Sequence, residues 1–322
     1  THLIGDKGFY TLFAFSFSLP VLILFVTLRN TGDFQFVSSI SSVTRRLKGK
    51  MTNFALFLFA SQFLNLLSRT VDTFILSAKS DRGLTDAAVF TIATYVVTLM
   101  EVPQRSMTSV SIPVLAESWK DKNTKRIKSI YEKSVTNLLL IGLVMLGLML
   151  LNLDNITKLL GKDFTGIGQV IFIMGIGKLI DLGTGANSQI IGTSSYWKVD
   201  FTTNVIYTLV ALPLNYYLIS HFGLMGAAYS NLISLTFYNL LRFGFLWKKF
   251  SMQPYTWKDL LAVVVTAALV LLVRFIPVMN NFIVDAAIRS IAFIGLFAGA
   301  VYWLKISEAA NELADKYLRL KN

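Results

Sequence analysis

Three apolar stretches of this 322-residue chain each hold an acid and a base about one helical turn apart. The pairs are Arg69 with Asp72, Glu101 with Arg105, and Lys178 with Asp181. Spacings of three and four residues put both partners on one helix face. An ionised side chain at the centre of a bilayer costs about 3 kcal/mol even on lenient insertion scales. Such groups face a bundle interior or a watery cavity rather than lipid. The chemistry they offer is the binding and release of charged species along a substrate or ion pathway. Nucleophilic and metal chemistry have little material to work with. Cysteine is absent, and the only histidines, His2 and His221, fall in segments expected to be loops. Neither a metal site nor a cofactor is expected.

The elements that must position these pairs follow from the composition. Hydrophobic residues make up 54% of the chain and charged residues 15%, with a mean hydropathy of +0.59. About 20 residues of helix cross a hydrocarbon core of ~30 Å. Nine blocks are long enough: roughly 9–28, 53–77, 87–113, 134–153, 166–190, 201–220, 224–241, 260–277 and 285–304. They are continuous rather than alternating, which excludes barrel strands. The expected fold is all-α, a polytopic membrane helix bundle of about nine spans.

Charge placement gives the sidedness. Assigned to loops in alternating order, twenty of the 30 Lys and Arg collect on one side, seven on the other counting span ends near it, and the remaining three lie inside spans. The crowded side is cytoplasmic by the positive-inside rule. Trp119, Trp197, Trp247, Trp257 and Trp303 fall near that interface, as an aromatic belt does. The net charge of +12 is therefore topology and attraction to anionic lipid, not a nucleic-acid surface. The C-terminus is then cytoplasmic and Thr1 external. Residues 1–8 resemble neither a signal peptide nor a start region, so the chain is expected to be the C-terminal part of a longer protein.

Loop 29–52 is the longest connection, polar and Ser-rich, and it ends in the basic run Arg45-Arg46-Leu47-Lys48-Gly49-Lys50. Its Phe34, Phe36, Val37 and Ile40 suit an amphipathic linker in the interface. The external connections (78–86, 154–165, 221–223 and 278–284) are too short to hold a catalytic domain. No enzymatic activity is expected.

A series of phrases then carries a resemblance. Val71-Asp72-Thr73 comes first, followed by Glu101-Val102-Pro103-Gln104-Arg105 and Ser111-Ile112-Pro113. Next come Asp181-Leu182-Gly183-Thr184-Gly185-Ala186-Asn187-Ser188-Gln189, Ser195-Tyr196-Trp197, and His221-Phe222-Gly223-Leu224-Met225-Gly226-Ala227-Ala228. In order and spacing the chain resembles the polysaccharide-biosynthesis flippases of the multidrug/oligosaccharidyl-lipid/polysaccharide exporter superfamily. Those have fourteen spans, in two six-helix lobes and two trailing helices. The resemblance implies that 1–28 is the last span of a missing first lobe and 29–52 the cytoplasmic linker. It makes 53–241 the six-helix second lobe, and 242–322 two trailing spans with an amphipathic tail.

The resemblance also implies a function: translocation of a polyprenyl-diphosphate-linked oligosaccharide across the bacterial inner membrane for polysaccharide (for example lipopolysaccharide) biosynthesis, by alternating access. Implied partners are that lipid-linked oligosaccharide, membrane lipids and other polysaccharide-assembly proteins. A drug/cation antiporter of the same superfamily and a membrane glycan polymerase or ligase stay open as alternatives. So does a channel for a soluble substrate.

Under this resemblance Arg69, Arg105, Glu101 and Asp72 are the candidate substrate-binding residues. A guanidinium's forked donors suit a diphosphate, and Glu101 would hold Arg105 while the site is empty. Pro103 should kink helix 87–113, because it leaves the carbonyl of Leu99 without its donor. The plainer alternatives are a self-neutralised Glu101–Arg105 pair and an Arg69 that snorkels outward. Lys178, Asp181, Pro103, Gly183, Gly185 and Asn187 are the coupling or gating candidates. Asp181 is placed near mid-depth, either as an ion or proton carrier or in a structural pair. The glycines allow close helix packing or a hinge, and Asn187 and Gln189 suit interhelical hydrogen bonds.

Overall fold

The computed structural model describes residues 6–31, 42–161 and 164–319. His2 and the linker residues Phe34, Phe36, Val37 and Ile40 lie outside them. Among the described residues every regular element is a helix. In chain order these are α1 (Asp6–Asn30), α2 (Ser42–Lys79), α3 (Leu84–Thr98), α4 (Glu101–Lys120), α5 (Thr124–Leu151) and α6 (Leu153–Leu160). Then follow α7 (Ile167–Gly183), α8 (Asn187–Thr193), α9 (Trp197–Phe250), α10 (Trp257–Arg274), α11 (Phe282–Trp303) and α12 (Glu308–Arg319). The chain forms two compact units, Thr1–Leu56 and Phe57–Asn322. The first holds α1 and the start of α2, and residues Val21 to Val26 of α1 are exposed aliphatic and aromatic side chains.

All nine apolar blocks fall on helices, but they are divided differently from the expectation. Among the described residues α5, α9 and α11 are each long and apolar enough to cross a membrane. The number is five if the bent pairs α3–α4 and α7–α8 each count as one span. Two blocks share the 54 residues of α9, and the 18-residue α10 carries Lys258, Asp259 and Arg274.

Each interruption has a local cause. The block expected as one helix over 87–113 is two, bent by 46°. The ring of Pro103 clashes with the carbonyl four residues back, at Leu99. The helix accordingly stops at Thr98 and restarts at Glu101, which leaves Pro103 in a first turn, where its missing N–H costs nothing. The carbonyl of Leu99 accepts instead from the Val102 N–H at 3.2 Å. The block over 166–190 is likewise split into α7 and α8, bent by 45°. Gly185 sits in the split at φ +61°, a left-handed conformation that favours glycine. A Cβ there would lie 2.5 Å from the Ser134 hydroxyl on α5. Gly183, at the end of α7, also faces α5, with Leu139 3.3 Å from the position of a Cβ.

The 221–223 loop is a single-residue break. His221 is helical, and only Gly223 (φ 52°, ψ −130°) departs from helix, folding α9 into two arms. The arms meet so closely that a Cβ on Gly226 would lie 2.0 Å from the Leu218 carbonyl oxygen.

Three apolar cores hold the larger unit. The first joins the end of α2 to α3, α5, α7 and α9. The second seats α10 and α11 on α5, with Phe293 filling the notch left by Gly147. The third gathers the ends of α4, α8 and α9 around the start of α5. Aromatic rings collar that third core: Trp119 meets Phe250 at 5.1 Å, and Tyr196 meets both Phe245 and Phe250 at 5.8 Å. The Lys258 ammonium donates to the Lys305 carbonyl at 2.7 Å, bringing the end of α11 to the same side. The tryptophan-bearing helix ends therefore share one end of the bundle. This end is expected to be cytoplasmic. Cysteine at exposed Lys125 should be shielded from an impermeant thiol reagent in intact cells, and cysteine at exposed Asn280 should react. The opposite labelling pattern would invert the topology.

Candidate functional site

The two charge pairs nearest the helix breaks form one network. Glu101 is the first residue of α4, and Lys178 and Asp181 occupy the last turns of α7. The buried Lys178 ammonium lies 2.8 Å from one Glu101 oxygen and 2.9 Å from Asp181 Oδ2. Arg105 Nη2 lies 3.0 Å from the other Glu101 oxygen. The four charges cancel, with Glu101, Lys178 and Asp181 largely buried and Arg105 supplying the balancing positive charge.

Asp181 is held further. Its Oδ1 accepts from Asn239 Nδ2 at 3.0 Å, and Gln104 Nε2 stands 3.5 Å from its Oδ2. The Asn239 carbonyl accepts in turn from Thr184 Oγ1 at 2.8 Å and Asn187 Nδ2 at 3.2 Å. Asn239, on the second arm of α9, thus staples both sides of the α7–α8 break. Gln189 Nε2 donates to Thr108 Oγ1 at 3.0 Å, tying α8 to α4. Asn187 and Gln189 do make interhelical bonds, each to a different helix.

A second polar group continues along α9. Asp200 Oδ1 accepts from Arg242 Nη2 at 2.6 Å and from Ser188 Oγ at 3.1 Å. The Arg242 guanidinium stacks 3.8 Å above the Tyr238 ring, whose hydroxyl donates to Asn204 at 2.6 Å. Here the sequence reading is corrected. Arg242 follows the apolar block 224–241, where the loop count takes it as cytoplasmic, but α9 runs on to Phe250 and buries it.

The remaining candidates separate. Asp72 is buried on α2 and accepts from the Asn215 amide of α9. Arg69 is helical in backbone, and its side chain lies outside the described residues. Pro103 begins α4 beside Glu101, and Gly183 and Gly185 bracket the α7–α8 break.

Exposure distinguishes Arg105 from the rest of its network. Its side chain is 70% exposed, against 9% for Lys178 and 10% for Glu101. Ser106 and Ser109 are exposed on the same stretch of α4. Val102 and Val110 are exposed on the same stretch, so Arg105 stands on a mixed polar and apolar face of α4.

Spacing could have revealed more than it did. Asp285 and Arg289 stand four apart inside the last block and form a buried 2.9 Å ion pair. The same rule that selected Glu101 and Arg105 selects them. Asn239 and Asn215 carry no charge and have no such signal.

Among solved structures, the chain is similar to the lipid II flippase MurJ in its inward closed conformation, with a TM-score of 0.64. The identity is 14%, over 89% of this chain and 60% of that one. The likeness is therefore one of fold, and the chain spans about 60% of the length of that flippase. No protein-family model and no curated protein sequence matches the chain.

Removing one member of a buried charge group strands the others, at a cost of about 3–5 kcal/mol. Lys178→Ala should sharply lower the thermal midpoint of the purified protein in detergent. The neutral variant Glu101→Gln/Lys178→Met/Asp181→Asn should lie much closer to the parent. A Lys178→Ala midpoint equal to the parent's would show that the network does not hold the fold.

Proposed function

We propose that this chain belongs to a transporter that moves a polyprenyl-diphosphate-linked oligosaccharide across the bacterial inner membrane for polysaccharide biosynthesis. The observation that carries the reading is the exposed Arg105, which completes the charge balance of the otherwise buried Glu101–Lys178–Asp181 network set between two helix breaks. Discontinuous helices in a membrane bundle mark binding sites, because irregular backbone survives there only when buried in protein or lining a cavity. The fold likeness to a flippase of a lipid-linked substrate supports it. A guanidinium offers forked donors to a diphosphate. Lys178 makes the exchange feasible: when Arg105 turns to the substrate, Glu101 keeps an ion partner 2.8 Å away. No residue is assigned a catalytic role.

A drug/cation antiporter is the second reading. It would favour a site dominated by carboxylates, whereas this network balances two carboxylates with two cations. Arg105→Lys keeps the charge but loses the forked geometry, so accumulation of lipid-linked glycan on the cytoplasmic face should rise at unchanged protein level. Arg105→Ala should be more severe. Normal export by Arg105→Ala/Glu101→Ala would reduce the pair to a structural one.

We assign energy coupling to Asp181, and the support is that its carboxylate joins α7 to α9 beside the α7–α8 break. One elementary charge crossing 100 mV is worth about 2.3 kcal/mol, enough to bias a cycle. In proteoliposomes Asp181→Asn should abolish the dependence of transport on a proton or sodium gradient while leaving carrier binding nearly unchanged. Equal gradient dependence in the two proteins would remove Asp181 from the coupling role.

A further inference from the structure

At the end of the bundle away from the tryptophan collar, a half-open cavity of about 960 Å³ lies among the α5–α6 corner, the start of α7, and the facing ends of α10 and α11. Its floor is a built polar cluster. Asp285 and Arg289, each about 5% exposed, pair at 2.9 Å. Asp285 Oδ2 accepts from Asn155 at 2.9 Å, and Oδ1 from the Met279 N–H at 3.1 Å. Arg289 Nη2 donates to the Ile276 carbonyl at 2.7 Å. Both Asp285 oxygens are thus engaged, while no described residue accepts from Arg289 Nη1.

The rim adds Lys158 on α6 and Arg274 at the end of α10, both exposed, with Asp154 beside them. Three cations and two carboxylates line the space, leaving one positive charge in excess. Asn155, Thr157 and Gln169 also line the space, and the remaining wall is apolar, with Phe172, Val270 and Val278 among its residues. A cavity with an ion-paired floor, a basic rim and a largely apolar wall matches an amphiphile bearing one negative charge. Lys and Arg side chains near a bilayer surface attract anionic head groups.

We propose that this cavity binds one anionic phospholipid, its phosphodiester on Arg274, Lys158 and Arg289 and an acyl chain against Phe172 and Val270. The single negative charge neutralises the site. A zwitterionic lipid carries its own cation and leaves the excess uncompensated. The bound lipid would bridge α10 and α11 to α5, α6 and α7 across a gap that side chains do not fill. The site is separate from the Glu101–Lys178 network and does not depend on what the protein transports.

The test uses the full chain purified in detergent, with phosphatidylglycerol, phosphatidylcholine and inorganic phosphate as probes. Native mass spectrometry should retain one phosphatidylglycerol, and that lipid alone should raise the thermal midpoint. Lys158→Ala/Arg274→Ala alters only exposed side chains, so its lipid-free midpoint should match the parent's. Its affinity for phosphatidylglycerol should fall at least about tenfold. Equal retention by the double variant, or an equal shift from phosphatidylcholine, would overturn the assignment. An equal shift from inorganic phosphate would also overturn it, by making the site one for free anions.

Discussion

The Lys178 ammonium, set between two carboxylates from different helices, is the contact on which the surrounding structure depends. Each of the three charges would be costly to bury alone, and only the ensemble is tolerable away from water. Glu101 begins α4 and Asp181 ends α7, so the ion contacts can form only if both helices break where they do. The breaks are in turn satisfied locally. Thr184 lies within bonding distance of both the Asp181 carbonyl and Asn239, and Val102 serves the carbonyl that Pro103 cannot. Electrostatics and backbone satisfaction therefore fix the same few residues.

The apolar cores explain why these charges can be held so closely. Leu182 and Ile171 on α7 are fully buried against α3, α5 and α9, so α7 has little room to turn its polar face elsewhere. Where small residues stand, the neighbouring helix comes nearer. The tight seat of Gly185 on Ser134 and Val135 lets the Ser134 hydroxyl accept from the Ala186 N–H at 3.0 Å, tying the break to α5. Close packing and polar satisfaction reinforce each other there.

Much of this was legible in the sequence, and the limits are physical. Helical blocks of the right length and the charge pairs were readable because hydropathy and spacing are local properties. That Glu101–Arg105 and Lys178–Asp181 merge was not, because the two pairs are some 75 residues apart and meet only through packing. The break at Leu99 was anticipated as a kink at Pro103, and the carbonyl four residues back moved it. Arg242 was misplaced because charge counting treats a basic residue near a helix end as a loop residue, whereas stacking on Tyr238 and pairing with Asp200 let it be buried. Asn239 left no trace in composition at all, yet it is bonded to α7, to the break and to α8. Asn187 and Gln189 could be read as amides seeking partners on other helices, but which charges a neutral amide organises shows only once those charges are placed.

The network's polarity decides what class of group it can accept. A neutral cluster exerts little net field at a distance, so selectivity falls to whichever member reaches the open space. That member is Arg105, a cation that cannot be deprotonated and whose donors are planar and paired. Had Glu101 been the exposed end and Arg105 the buried one, the same four residues would present a carboxylate and favour cationic ligands. In this fold Glu101 stands at the α4 start, against Lys178, and Arg105 stands one turn further along with its side chain exposed. With Arg105 turned away, Glu101 would keep Lys178 as its ion partner, and the two carboxylates and one ammonium left behind would carry one net negative charge.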